Sequence, residues 1–197
     1  MAERRVAVYS DYVSPVCYLA WVVLRRAASA GVVVTLRPYE LWPAPLPMPP
    51  SDGPRERRLW DAVIAPNAAR LGVEVRPPAA WPRTRKAHEL ALYAAREGRA
   101  DQAHEALFHA YFVEGRDIGR IDVLAELAAR MGLDPTAAKV ELDIDQYSDA
   151  VRETRSHAAA LGVNAIPAYI DETGSRPRLH TGALEYEELM AWLEQES

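Results

Sequence analysis

The residues most able to do chemistry are Ser14-Pro15-Val16-Cys17. A short alternating apolar run, Val6-Ala7-Val8-Tyr9, precedes them, and a long apolar helical pattern begins near Val16. Ser14 therefore falls where a helix N-cap belongs, and Pro15 at the first helical position, which its fixed φ suits. Cys17 falls in the first turn, where backbone N–H groups and the helix dipole favour an anion. Two chemistries follow. The Ser14 hydroxyl can donate to the thiolate of a bound small thiol. Alternatively, Cys17, if it reaches solvent, has a lowered pKa and forms a mixed disulfide. The plain structural reading stands beside both: Ser-Pro is a good helix start, and a lone cysteine is commonly a small buried hydrophobe.

The second stretch is Gly162-Val163-Asn164-Ala165-Ile166-Pro167-Ala168-Tyr169. A proline entering a strand marks an edge or a special turn, and periodicity alone cannot reveal whether its peptide bond is cis. A third candidate is His88, in Thr84-Arg85-Lys86-Ala87-His88; a helix histidine is more often a surface or core residue than a ligand-facing one. The histidines at 88, 104, 109, 157 and 180 lack metal-ligand spacing, and neither a phosphate-cradling glycine loop nor a nucleophile elbow is present. No metal is expected.

The elements that must position these residues can be read in order. Arg5–Ser10 reads as a strand bounded by Ser10 and Asp11, and Val16–Ala30 as a buried helix that Gly31 ends. Val32–Leu36 is a β-branched run suited to a parallel strand, which completes a βαβ unit. Six prolines between 43 and 54 then exclude helix and central strand. Helical patterns follow over Glu56–Leu71, which Pro66 must kink or split, and over Thr84–Glu97. Further helices are expected from Asp101, as a cap, to Glu114, over Asp122–Met131, and from a cap-and-proline start at Asp134-Pro135. The tail reads as a helix over Asp149–Leu161, strands at Ala168–Ile170 and Arg178–Thr181, and a closing helix over Glu185–Gln195. The order is β-α-β, helical insertion, α-β-β-α, with one domain formed by 1–42 and 147–197 and the insertion by 43–146.

With 197 residues, 49% hydrophobic and 26% charged, the chain can bury a sizeable core. Its net charge of −5 gives no general attraction to nucleic acid or an anionic membrane surface. No apolar run is long enough to span a membrane. Met1-Ala2-Glu3-Arg4-Arg5 leads into the first strand without an apolar signal core, so a cytoplasmic location is expected. The single cysteine forbids an intramolecular disulfide.

Ser14-Pro15-Val16-Cys17 resembles the active-site segment of DsbA-like thioredoxin-fold proteins, whose usual motif is Cys-Pro-x-Cys; here Ser14 stands in place of the attacking cysteine. Thr84-Arg85-Lys86-Ala87-His88, Leu107–Ile118 and Thr181-Gly182-Ala183 resemble the FrnE-like cytoplasmic subgroup, close to 2-hydroxychromene-2-carboxylate isomerases and kappa-class glutathione transferases. The resemblance implies an α/β thioredoxin-like fold with Ile166-Pro167 as a cis-proline peptide opposite the active-site turn. Ile166 would offer its backbone to a peptide or glutathione as a strand adds to an edge. Ser-Pro also occurs at this place in the isomerases and kappa-class transferases, where the serine assists the glutathione thiol. Their tail usually carries Ser-Asp-Arg, whereas Thr181-Gly182-Ala183-Leu184 lacks both charges, which leaves another low-molecular-weight thiol open.

The expectation is thus an oxidoreductase- or isomerase-type enzyme. Its catalytic residues are Ser14 and Cys17, and Asp11, Pro15, Ile166, Pro167 and His88 bind thiol and substrate. No tightly bound cofactor is expected; glutathione or an equivalent thiol is the cosubstrate, and an apolar compound the substrate. Relatives often pair as homodimers, so a homodimer is an expected assembly. One sulfur cannot release a disulfide-linked partner by internal attack, so dithiol–disulfide cycling is not expected. Two rivals are a monothiol reaction through Cys17 and a non-catalytic binding protein.

Overall fold

The computed structural model describes residues 3–195; Met1 and Ala2, where the expected leaderless N-terminus begins, lie outside them. The chain divides into two compact units, one formed by residues up to Tyr39 and from Thr154 onward, the other by Glu40–Glu153. The boundaries expected at 42/43 and 146/147 fall instead at 39/40 and 153/154. Bonds from Arg85 lie near both boundaries. Arg85 Nε donates to Glu40 Oε2 (2.6 Å) and Arg85 Nη1 to Ser148 Oγ (2.9 Å), which places Glu40 and the first turn of the 148–160 helix with the helical unit.

The first unit holds a four-stranded sheet of β1 (Arg5–Ser10), β2 (Val33–Pro38), β3 (Ala168–Asp171) and β4 (Arg178–Thr181), in the order β2-β1-β3-β4. β1 runs parallel to β2 and antiparallel to β3, and β3 is antiparallel to β4. The helix α1 (Pro15–Ser29) links β1 to β2; its C-terminus closes at Gly31 (φ +89°), where Gly31 N–H donates to Ala28 O and Val32 N–H to Ala27 O. A β-carbon at that φ would be strained, which is why glycine stands there.

Strand alternation sorts the side chains onto two faces. Ala7, Tyr9, Ala168 and Ile170 pack with Ala158 and Val163, and Tyr39, Leu161 and Ile166 close the edge of that cluster. Val6, Val8, Tyr169 and Asp171 belong to the other face, where the Tyr169 ring meets Trp192 (6.4 Å between centroids) of α9 (Tyr186–Glu194). Asp171 is buried on that face and bound by the guanidinium of Arg178. Burial raises its pKa, and Arg178 with Thr173 outweighs that, holding the carboxyl below its ordinary range.

In the second unit the proline stretch is irregular. Arg83 donates to Trp42 O (2.6 Å) and Leu46 O (2.7 Å), and Trp81 Nε1 to Pro50 O (3.1 Å), while the Trp42 and Trp81 rings lie 5.3 Å apart. Pro66 does not split the helical run that holds it. α2 (Pro54–Leu59) runs through a π-helical turn (Trp60–Ile64) into α3 (Ala65–Leu71). Proline has no N–H to give and its ring crowds the carbonyl four residues back. The wider turn relieves both problems: Ala65 N–H reaches Trp60 O, and Asn67 Nδ2 donates to Val63 O (2.8 Å).

The remaining helices are α4 (Arg85–Arg96), α5 (Ala100–Phe112), α6 (Ile121–Arg130), α7 (Pro135–Asp143) and α8 (Ser148–Ala160), the last crossing from this unit into the first. Asp134 caps α7 by accepting from Thr136 N–H and Ala137 N–H. Asp101 does not cap α5: the cap is Arg99, and Asp101 lies in the first helical turn, where a carboxylate suits the dipole. No helix among the described residues is long and apolar enough to cross a membrane.

Candidate functional site

The site grows from the end of β1. After Ser10 the chain makes a turn in which Ser14 N–H donates to Asp11 O (3.1 Å), and α1 begins with Tyr18 N–H donating to Ser14 O (3.1 Å). Ser14 is extended (φ −85°, ψ 113°) and is the N-cap, with Pro15 directly after it. Its Oγ accepts from Cys17 N–H at 3.3 Å, satisfying one of the donors that a helix start leaves unpaired. Ser14 is 7% exposed; Asp11 and Pro15 are buried, and Val16 is half-buried.

Cys17 is 2% exposed. Burial pushes its thiol up to about 11. Contacts from the Ser14 hydroxyl, the Asp11 peptide N–H and the Ser10 hydroxyl pull the other way, and the Asp11 carboxylate adds to the rise. The helix N-terminus does not overcome desolvation here, so the sulfur stays protonated at neutral pH. The condition on which a reactive Cys17 rested, access to solvent, is not met. Burial, with Asp11 beside it, raises the pKa of Tyr12 as well.

Ile166 and Pro167 lie at the same end of the sheet as the turn after β1. Tyr9 pairs with Ala168, so the turn that leaves β1 and the peptide that enters β3 sit side by side. The Ile166–Pro167 bond is cis, as is Ala44–Pro45. Pro167 is buried, Ile166 is half-buried against the Ala7–Tyr9 cluster, and Asn164 and Ala165 are exposed. Pro167 O accepts from Gly182 N–H (2.9 Å), which brings Thr181-Gly182-Ala183 against the proline. Gly182 holds φ +102°, a conformation that other residues rarely adopt.

Ser14, Cys17, Asp11, Pro15, Ile166 and Pro167 thus all belong to the first unit, whereas His88 belongs to the second. His88 is 2% exposed on α4. It neighbours His104 of α5, whose pKa falls to about 3 through burial and the proximity of His88. This is the setting of a core histidine. Among the described residues no group of three or more His, Cys, Asp or Glu could hold a metal ion.

Two residues that the sequence did not single out stand at the site. Ser10 continues the face of Val8, and its hydroxyl adjoins the sulfur of Cys17; Tyr169, paired with Val8, lies near the same sulfur. Both hydroxyls are buried without a regular hydrogen bond. The signal was present in the period of two along β1, but it identifies a face and not a neighbour.

The family model of the DSBA-like thioredoxin domain matches residues 5–192. A Bacillus subtilis (strain 168) protein, YwbO, is 34% identical over 170 residues, covering 84% of this chain and 85% of that protein. Among solved structures, a probable DsbA oxidoreductase from Streptomyces coelicolor has a TM-score of 0.79 at 25% identity, covering 98% of this chain and 92% of that one. A 2-hydroxychromene-2-carboxylate isomerase scores 0.77 at 18% identity, covering 95% and 92%. The cytosolic disulfide reductase DsbM from Pseudomonas aeruginosa, solved with GSH, scores 0.70 at 21% identity, covering 96% and 97%.

Proposed function

The chain belongs to the DSBA-like thioredoxin domain family, and from that premise we propose that it is a thiol-dependent enzyme of the oxidoreductase/isomerase type that activates a sulfur it does not itself carry. The small thiol, glutathione or an equivalent, lies between the N-terminus of α1 and the Ile166-Pro167 peptide. The observation that carries this reading is the state of Cys17. It is the chain's only cysteine, it is sealed from solvent, and its pKa is pushed up to about 11. A chain with no thiolate of its own, built on a fold whose chemistry is that of sulfur, needs the sulfur from outside.

Ser14 holds the thiol. Its Oγ lies at the end of a 15-residue helix, where backbone donors and the dipole favour a thiolate, and its proton can be given to that sulfur. The exposed Asn164-Ala165 backbone leading to Pro167 offers an edge along which the ligand's own peptide groups can lie. With an apolar electrophile bound, addition of the activated thiol followed by elimination gives isomerisation, and addition alone gives conjugation. A homodimer and a cytoplasmic setting remain part of the proposal. DsbM solved with GSH supports a small-thiol cosubstrate by likeness of fold, and the chromene carboxylate isomerase supports an isomerase-type reaction in the same way.

The test is direct. The protein is titrated with glutathione while the ultraviolet absorbance of bound thiolate is followed, then assayed with chromene isomers, other electrophiles and mixed disulfides. Bound thiolate at neutral pH, lost in Ser14→Ala, is expected, with no reduction of insulin disulfides. Absence of any bound thiolate and of any turnover, or robust insulin reduction, overturns the reading.

A further inference from the structure

We propose that Arg83, together with the Trp42 and Trp81 rings, forms a binding site on the second unit for a small aromatic carboxylate. All three residues belong to that unit, and the inference does not depend on the thiol site of the first.

Two stretches of chain build the site. Residues 42–51 are rich in proline, which has no N–H to give, so their carbonyls are bound by side chains of the facing stretch 79–83. Arg83 donates from Nη1 to Trp42 O (2.6 Å) and from Nη2 to Leu46 O (2.7 Å), and Trp81 Nε1 donates to Pro50 O (3.1 Å). The facing stretch is itself pinned from behind. Tyr111 OH donates to Ala80 O (2.9 Å), and Gly119 packs so closely that a β-carbon there would stand 3.0 Å from Arg83 O and 3.2 Å from Pro82 Cβ.

The Arg83 guanidinium is therefore held in one orientation while its charge stays uncompensated. Two of its five N–H donors go to neutral carbonyls, which leaves three. Among the described residues no carboxylate pairs with it: Asp117, behind its backbone, accepts instead from Gly119 N–H (2.9 Å). Residues 42–51 and 77–84 carry no other charge. A carboxylate matches the free side of such a fork, and the ordering of the arginine side chain is already complete before it arrives. The rings decide what the carboxylate is attached to. Arg83 is exposed, and Trp42 and Trp81 are half-buried, their centroids 5.3 Å apart and their planes tilted by 46°. The indole N–H of Trp81 is spent on Pro50, so beside the cation that ring offers apolar surface, on which a flat aromatic group packs.

The probes are naphthoate, its neutral amide and acetate. The full chain is labelled with fluorotryptophan, and its five tryptophan signals are followed by fluorine NMR, with Trp42→Phe and Trp81→Phe assigning two of them. Naphthoate is expected to shift the Trp42 and Trp81 signals and to leave those of Trp21 and Trp192 in place. It should bind roughly tenfold more tightly than naphthamide, the worth of a bond to a charged group. Added salt should erode that advantage, because the pair is exposed. In Arg83→Gln the advantage should vanish, and Arg83→Lys, a point charge without the fork, should keep only part of it. The comparison of acid with amide is made on the unaltered chain, so loosening of residues 42–51 in a variant cannot imitate it. Equal binding of acid and amide overturns the proposal, as does acetate competing as well as naphthoate, or naphthoate leaving the Trp42 and Trp81 signals unmoved.

Discussion

Native Cys17 should react with alkylating or disulfide reagents about a hundredfold more slowly than the same cysteine in the unfolded chain, from ionisation alone. The thiolate is the nucleophile, and each pH unit below the pKa cuts its population tenfold. Moving the pKa from its ordinary value of 9.0 to about 11 therefore lowers the neutral-pH thiolate by about two powers of ten. Burial slows the reaction further, since the reagent must wait for an opening. The same displacement has a thermodynamic face. The folded thiol keeps its proton up to about pH 11, whereas the unfolded thiol releases it around 9.0. The resulting contribution, about 3 kcal/mol, is complete below pH 9 and is lost as the pH rises through 11. Labelling kinetics followed by mass spectrometry, native against urea-unfolded, measure the first effect. Urea unfolding on both sides of pH 9, compared with Cys17→Ala, measures the second. Native labelling within about tenfold of the unfolded rate would refute the picture of a sealed, protonated sulfur.

Two further outcomes follow from the packing. His104 stays neutral in the fold because burial, and then His88, hold its pKa at about 3; an unfolded histidine gains its proton near 6.5. Its contribution is complete above 6.5 and is lost as the pH falls toward 3, at about 1.4 kcal/mol per pH unit, and His104→Gln should remove that slope from urea-unfolding curves. Arg178→Ala leaves the buried Asp171 carboxylate without its cation and should cost about 3 kcal/mol, lowering Tm by roughly 6–12 °C, with Asp171→Asn in the same chain recovering much of the loss.

How far the sequence could be read depended on whether the controlling interaction was local. Ser14 and Pro15 announced the start of α1, Gly31 its end and Asp134-Pro135 the start of α7, because capping works within four residues. The βαβ unit and the closing β-β-α were legible from period and punctuation. Asp101 misled because a carboxylate in the first turn serves the dipole as well as a cap does. Pro66 misled because a helix can widen by one residue and continue. The hydroxyl of Tyr169 near Cys17 was beyond local reading: strand pairing brings β1 and β3 together across more than 150 residues, and the residue alone looks like an ordinary member of its strand. His88 was ambiguous for the same reason, since its burial is decided by α5.

The π-helical turn before Pro66 bears on how this chain can change length. Ile64, which closes the turn, and Ala68 beyond it are buried, whereas α2 upstream buries no residue. Deleting one residue between 60 and 63 would let the wide turn tighten to an ordinary one, and the segments on both sides of it would keep their facing. Natural variants of this segment should therefore drift in length one residue at a time, without disturbing what lies beneath.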